Sequence, residues 1–355
     1  MKLIAHYLPQ FHEIPENNDA WGNGFTEWVN VKKADKIFRN QYQPRVPFND
    51  NYYDLLDIRT MDWQADLANE AGIYGFCFYH YWFNGRMVLE KPVLNLLLNR
   101  SVNMRYCFAW ANEPWTKTWH GAGGEKEILI SQKYGAQEDW ERHYQYFLPY
   151  FKDDRYIKEN HSPMLLIYRL RNIPEFNQMI RYWNRRAVED GFHGIYLVSM
   201  NVGREHVWMS RWVDAAVDFE PNTTKYELYG GTGGDQKILD YDVMCRKMLE
   251  KPHTKNYFRT LFVDYDDTPR RGERGIYTIN TSPEKFGGYL SESIALSLEE
   301  GNGYLFLNAW NEWGESNYLE PDKRWRYDYL KEICSIVRGK EYAEKSNILG
   351  SGREC

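Results

Sequence analysis

Eight short apolar runs, separated by helix-like segments, constrain the fold more than any other feature of this chain. They fall at residues 3–8, 73–79, 104–110, 163–168, 194–200, 215–219, 258–265 and 304–309. Runs of this kind read as strands covered on both faces, the signature of a parallel sheet. Between them, segments 57–71, 137–151, 175–190 and 282–300 read as helices. The last opens with Ser282-Pro283-Glu284, a capping residue followed by Pro at the first helical position. Eight strand–helix units make an α/β fold of the (β/α)8 TIM-barrel type, and 355 residues suit such a barrel with long βα loops.

No repeat, low-complexity linker or charge block divides the sequence. Residues 1–340 are therefore expected to form one barrel domain, with 341–355 as a polar, poorly ordered tail. The first βα connection, residues 9–56, is long and rich in Asn, Trp and Pro, and glycine clusters at 121–124 and 230–234 mark two further loops on the same face. A net charge of -6, with mixed signs and no basic stripe, argues against nucleic acid as a partner. Cys77, Cys107, Cys245, Cys334 and Cys355 are odd in number and widely spaced, which predicts reduced thiols rather than disulfides or a zinc site. His6, Asp19 and Asp264 have no convincing ligand spacing, so neither metal nor cofactor is expected. The opening MKLIAHYLPQF lacks a signal-peptide h-region and cleavage site, and no run approaches the roughly 20 apolar residues of a membrane span. The expectation is a cytoplasmic protein without a membrane span.

In a βα barrel, residues just past the strand ends converge on one mouth, where active sites are built. Those positions hold Tyr7 and Gln10 after the first strand, then Tyr79, His80, Tyr81 and Trp82 after the second. The third supplies Trp110, Asn112, Glu113 and Trp115, the fourth Tyr168, the sixth Glu220 and the seventh Asp264. The eighth gives Trp310, Asn311, Glu312, Trp313 and Glu315. The long first loop adds Glu27 and Trp28. Packing alone accounts for aromatics at strand ends but not for the acids among them. Aromatic residues make up 17% of the chain, including 14 Trp and 28 Tyr, and flat rings with a polar handle suit sugar faces. Glycosidic bond cleavage needs two groups, one to protonate the leaving oxygen and one to stabilise or attack the anomeric carbon. Glu312 and Glu315, three apart across a Gly-containing turn, are the candidate catalytic pair. Their spacing leaves retention and inversion both open. Glu113 and Glu27 are candidate hydroxyl ligands with ion pairing or solvation as the alternative. His80 is a candidate donor, and Trp82, Trp110, Trp115 and Trp310 are candidate stacking platforms, each with a core role as the alternative.

The segments YLPQFH, GFTEW, YHYWFNG, WANEPWT and NAWNEWGE, in that order, resemble the WbsX-type proteins of bacterial polysaccharide gene clusters, within the glycoside hydrolase family 99-like group. The resemblance covers residues 3–330. It implies a (β/α)8 barrel and a carbohydrate substrate, with Glu312-Trp313-Gly314-Glu315 matching the family 99 E-W-x-E motif. It further implies a retaining, endo-acting route in which Glu312 is the base toward a sugar 2-hydroxyl, giving a 1,2-anhydro sugar. Glu315 would be the acid that protonates the leaving group and later the base that activates water. The first strand reads HYLPQF where family 99 typically carries a Y-x-W-type segment, so mannose specificity is not carried over. WbsX-type proteins are also called glycosyltransferases, yet no Gly-rich phosphate loop is present. Arg270 and Arg271 are candidates for a diphosphate, although adjacent arginines more often form a solvated turn. Three readings therefore stand: a glycosidase, a glycosyltransferase of O-antigen or capsule synthesis, and a non-catalytic sugar-binding barrel.

Overall fold

The computed structural model describes residues 1–117, 127–202, 211–229 and 237–339. The glycine clusters at 121–124 and 230–234, the tail from residue 341 and Cys355 lie outside them. Eight barrel strands run β1 Lys2–Tyr7, β2 Gly75–Phe83, β3 Arg105–Trp110, β4 Ser162–Ile167, β5 Tyr196–Asn201, β6 Ala215–Asp218, β7 and β8 Tyr304–Asn308. Strand β7 is split into Tyr257–Phe258 and Thr260–Phe262. Its first piece pairs with β6, through Ala216 opposite Tyr257, and its second with β8, through Leu261 opposite Leu307. Since β1 also pairs with β8, every neighbour contact around the ring is parallel and the barrel closes.

The barrel helices are α1 Ile58–Ala71, α2 Lys91–Leu98, α3 Gln137–Phe151, α4 Phe176–Glu189, α5 Tyr241–Glu250, α6 Pro283–Glu299 and α7 Asp328–Arg338. Among the described residues no helix lies between β5 and β6. Helix α1 starts where the Asp57 carboxylate accepts from Arg59 N, and α6 where the Ser282 hydroxyl accepts from Lys285 N. Each such cap satisfies an amide that the helix itself leaves open.

Two strands depart from the sequence reading. Strand β2 continues four residues beyond the expected end at Tyr79, then reverses at Asn84-Gly85 into an antiparallel return, Arg86–Val88. Both turn residues take positive φ (52° and 87°), the backbone that lets Asn-Gly join two strands without splaying them. Strand β7 ends at Phe262, because Val263 to Asp266 turn toward the segment after β8: Val263 N donates to Asn317 Oδ1 at 3.0 Å, and Asp266 N to Glu315 O.

The long first loop is tied down rather than free. Arg45 pairs with Asp264 at 2.6 Å, Gln41 donates to Asp266 at 2.8 Å, and Gln43 donates to Ser316 at 2.9 Å. These buried bonds hold residues from the β1–β2 connection against the loops after β7 and β8, which closes one side of the mouth. Cys77, Cys107, Cys245 and Cys334 are buried, free thiols. Among the described residues, no helix is long and apolar enough to cross a membrane, and no group of three acidic, His or Cys side chains is arranged around a metal position.

Candidate active site

The chain leaving β8 makes a miniature hairpin. Asn311–Glu312 pairs antiparallel with Asn317–Tyr318, and a single 3-10 turn, Trp313–Glu315, joins them. The two indoles of this segment point away from the mouth. Trp310 Nε1 donates to Glu320 Oε1 at 3.0 Å, and Trp313 Nε1 donates to Glu320 Oε2 at 2.6 Å. Gln64 and Tyr53 donate to the same carboxylate at 2.6 and 2.8 Å. Trp313 also stacks on Tyr318, with centroids 3.7 Å apart. Asn311 clamps the hairpin to β1, accepting from Leu8 N at 2.7 Å and donating to Leu8 O at 3.0 Å. Trp28 completes this support, packed on Phe11, Tyr53 and Trp313. Thus Trp28, Trp310, Asn311 and Trp313, expected as ligands of the substrate, form the frame beneath the acids.

Arg270 brings the acids together. It lies on the short helix Thr268–Arg271, its side chain only 3% exposed, where the sequence suggested a solvated turn or a diphosphate ligand. Its Nε donates to Glu27 Oε1 at 2.7 Å, Nη1 to Glu315 Oε1 at 2.8 Å and Nη2 to Glu312 Oε1 at 2.5 Å. Glu27 opens helix Glu27–Lys33, oriented by its amide donating to Gln10 O. The side chains of Glu27 and Glu312 are 0% and 9% exposed, whereas that of Glu315 is 24% exposed and faces the opening. Gly314 makes this possible, since a Cβ there would meet Glu27 Oε1 at 2.0 Å and Arg270 Nε at 2.6 Å. The glycine of the E-W-G-E segment is thus a steric requirement of the ion cluster. Arg271 stays half exposed and pairs with Asp267 at 3.1 Å.

Burial pushes the Glu312 carboxyl up to about 8; Arg270 holds it down while Glu315 and Glu27 push it further up. Glu320 is raised to about 7, again by burial, against the pull of its four donors. Both carboxyls bind protons more tightly in the folded than in the unfolded chain, so their contribution to stability falls as pH rises from the ordinary carboxylate range to about 7–8. The urea midpoint should drop between about pH 5 and about pH 8, and Glu320→Gln should flatten the part of that drop ending near pH 7. A wild-type midpoint that is constant across the window rules out both raised carboxyls.

Strand alternation decides the fate of the other candidates. On β2, Tyr79 faces inward, stacked on His6, and lies within electrostatic reach of Glu312. Tyr81 lies near Glu312, Arg270 and Glu27, bonds to Gln10, and meets the edge of Trp115. Tyr168 comes within reach of Glu113 and Glu315. These residues, Tyr79, Tyr81, Gln10, Trp115 and Tyr168, are gathered with Glu27, Glu312 and Glu315. Their neighbours in sequence face outward. His80 contacts His143 of α3 at 2.8 Å, and Trp82 stacks flat on the same ring, so both belong to the packing between barrel and helix. Trp110 is buried against His143 and Trp183, and Tyr7 donates to Gln64 of α1. Asn112 bridges β3 and β4 by accepting from Arg169 N and donating to Arg169 O. Glu113 is ion-paired with Arg169 at 2.9 Å. Glu220 is committed to Lys251 and Thr224 away from the acid cluster, and Asp264 to Arg45, Thr278 and Thr281.

Three residues in or near this site were not read from the sequence in the places they take. Arg270 was visible only as one of two adjacent arginines. Glu320 stands eight residues after Glu312, with only its carboxyl amid apolar neighbours as a signal. Lys225, about one turn into helix Asn222–Tyr229 beyond the end of β6, lies within electrostatic reach of Asp267 and Glu315.

Comparison with known proteins gives a family and a fold. A family model described as glycosyltransferase WbsX matches residues 3–333. The uncharacterized protein WxcX of Xanthomonas campestris pv. campestris is 35% identical over 343 residues, 92% of this chain and 48% of its own length. The chain therefore spans about half the length of the curated relatives it matches. Among solved structures, the GH99 endo-alpha-mannosidase from Bacteroides thetaiotaomicron superposes with a TM-score of 0.58 at 13% identity, covering 97% of this chain and 96% of that one. A glycoside hydrolase-like protein superposes with a TM-score of 0.55 at 15% identity, over 94% and 92% of the two chains. At such identities the likeness establishes the barrel fold.

Proposed function

This chain belongs to the WbsX family, and from that membership and the geometry of its mouth we propose that it is a glycoside hydrolase-like enzyme acting on a bacterial polysaccharide or oligosaccharide. The observation that carries the reading is the convergence of Glu312 and Glu315 on one buried guanidinium, at the end of β8, beside inward-facing tyrosines. Two carboxyls held by one guanidinium stand close together, which favours the shorter separation of retaining enzymes, about 5–5.5 Å, over the roughly 6.5–9.5 Å of inverting ones.

In this mechanism Glu312 takes the proton of a sugar 2-hydroxyl, and that oxygen displaces the leaving group to give a 1,2-anhydro sugar. A sugar hydroxyl is a weak acid, and a carboxylate lifted to about 8 is a stronger base than an ordinary one. Glu315, the more exposed partner, protonates the departing oxygen and then deprotonates the water that opens the anhydro ring. Tyr79, Tyr81 and Tyr168 offer rings and hydroxyls to the sugar, and endo action is carried over from the resemblance to the family 99 group.

Glycosyl transfer is the second reading, favoured by the family's description. It requires a donor group to leave, and for a nucleotide sugar that group is an anionic diphosphate. Arg270, the cation best placed to hold it, is already shared by three carboxylates. Thermal shifts against nucleoside diphosphates, nucleotide sugars and gluco- or manno-configured iminosugars separate the two. At about 100 times Kd a ligand stabilises by roughly 2.7 kcal/mol. An iminosugar should stabilise the wild type and fail with Glu312→Gln. Stabilisation by nucleotides alone would overturn the hydrolase reading.

A further inference from the structure

One cation bordering the acid cluster lacks an acidic partner. Among the described residues, Arg270, Arg271 and Arg169 pair with Glu27, Glu312, Glu315, Asp267 and Glu113. Lys225 does not. Its Nζ donates to Asn222 Oδ1 at 2.9 Å and stands 4.9 Å from the centre of the Tyr265 ring, with no carboxylate of the described residues at salt-bridge distance. Glu315 and Asp267 act on it only from farther away, and burial pulls its pKa down. An ammonium has three N–H donors, and among the described residues only Asn222 supplies a hydrogen-bond acceptor to Lys225. Placing a desolvated, unpaired charge at a substrate opening costs free energy that a neutral sugar would not return.

We propose that Lys225 is a specificity-determining residue that binds an anionic substituent of the sugar, a uronic acid carboxylate or a phosphate, in the subsite beside Glu315. The proposal rests on the reading of Glu312 and Glu315 as the active site and names the substrate class of that site. An anion there supplies acceptors for the two unmatched N–H groups. The Tyr265 ring beneath the ammonium is itself held, its hydroxyl donating to Asp267 at 3.1 Å. The three carboxylates around Arg270 would otherwise repel such a substrate, and Lys225 offsets them on the side where Glu315 opens to solvent. A charge-assisted hydrogen bond is worth about 1.5–3 kcal/mol, which converts to roughly tenfold to 150-fold in affinity.

The test uses the full chain and calorimetric titration with isofagomine-type iminosugars in gluco, galacto and manno configuration, each carrying a neutral hydroxymethyl group, a carboxylate or a phosphomonoester at the same carbon. In one configuration the wild type should bind an anionic probe at least tenfold more tightly than its neutral counterpart, with the carboxylate and phosphate arms identifying the anion. Lys225→Met should bring the two within about twofold while leaving neutral binding intact, and Lys225→Arg should keep most of the preference. Equal affinity for neutral and anionic probes in the wild type overturns this proposal and leaves the active-site reading standing. A Lys225→Met variant that weakens both probes alike makes Lys225 a charge balance for Glu315 and also overturns it. Failure of every probe to bind removes both readings.

Discussion

Replacing Arg270 by Met is expected to destabilise the fold by about 3–5 kcal/mol and to abolish turnover. Methionine is close enough in volume to fill the space, so the cost is electrostatic rather than a cavity. Arg270 Nε donates to Glu27 Oε1, deep beneath the mouth where the Glu27 side chain is 0% exposed. Without it, Glu27 must stay charged in an apolar setting, take up a proton, or drag helix Glu27–Lys33 out of place. The same substitution removes the guanidinium that holds the Glu312 and Glu315 carboxylates together. Because much of the loss comes from the Glu27 charge left without Arg270, adding Glu27→Gln to Arg270→Met should restore part of the stability but none of the activity. Urea denaturation of the two variants reads this directly. An Arg270→Met protein within about 1 kcal/mol of the wild type would mean that water, not Arg270, carries the charge of Glu27.

That experiment probes what the sequence could not supply. The barrel was legible because strand count, helix caps and loop lengths are local signals: Ser282-Pro283 starts α6 where its chemistry says it should, and the eight apolar runs all became strands. The E-W-G-E acids were legible for the same reason, as charges at the end of an apolar run. Which neighbours join them is a long-range question. Within Tyr79-His80-Tyr81-Trp82 every residue suits a sugar site, yet pleating sends Tyr79 and Tyr81 toward Glu312 and turns His80 and Trp82 onto His143. A one-residue change of register would have exchanged the pairs. Trp310 and Trp313 have the composition of stacking platforms, but their N–H groups needed an acceptor inside the protein, and Glu320 provides it. Arg270 and Glu27 are 243 positions apart, and only barrel closure brings them into contact.

Glu312→Gln and Glu315→Gln should each lower turnover by about 10²–10⁴, the range for a positioned acid or base. Since the two act in one step, the double variant should be little worse than either alone. Leaving-group chemistry separates their roles. An aryl glycoside with an activated phenol departs without protonation, so Glu315→Gln should recover most of the rate of the first step on it, whereas Glu312→Gln should not. The wild-type pH profile supplies an independent sign. Burial raises Glu312 to about 8, so below that pH it carries the proton it must lose to act as a base, and kcat/KM should climb toward about pH 8. A rate that falls through the same pH, with Glu312→Gln as the variant recovered by the activated phenol, exchanges the roles: the desolvated carboxyl is then the acid, as raised carboxyls in apolar pockets often are. Full activity in both variants would remove Glu312 and Glu315 from the chemistry altogether. The remaining carboxyl on Arg270, Glu27, could not take their place, since no part of its side chain reaches the opening.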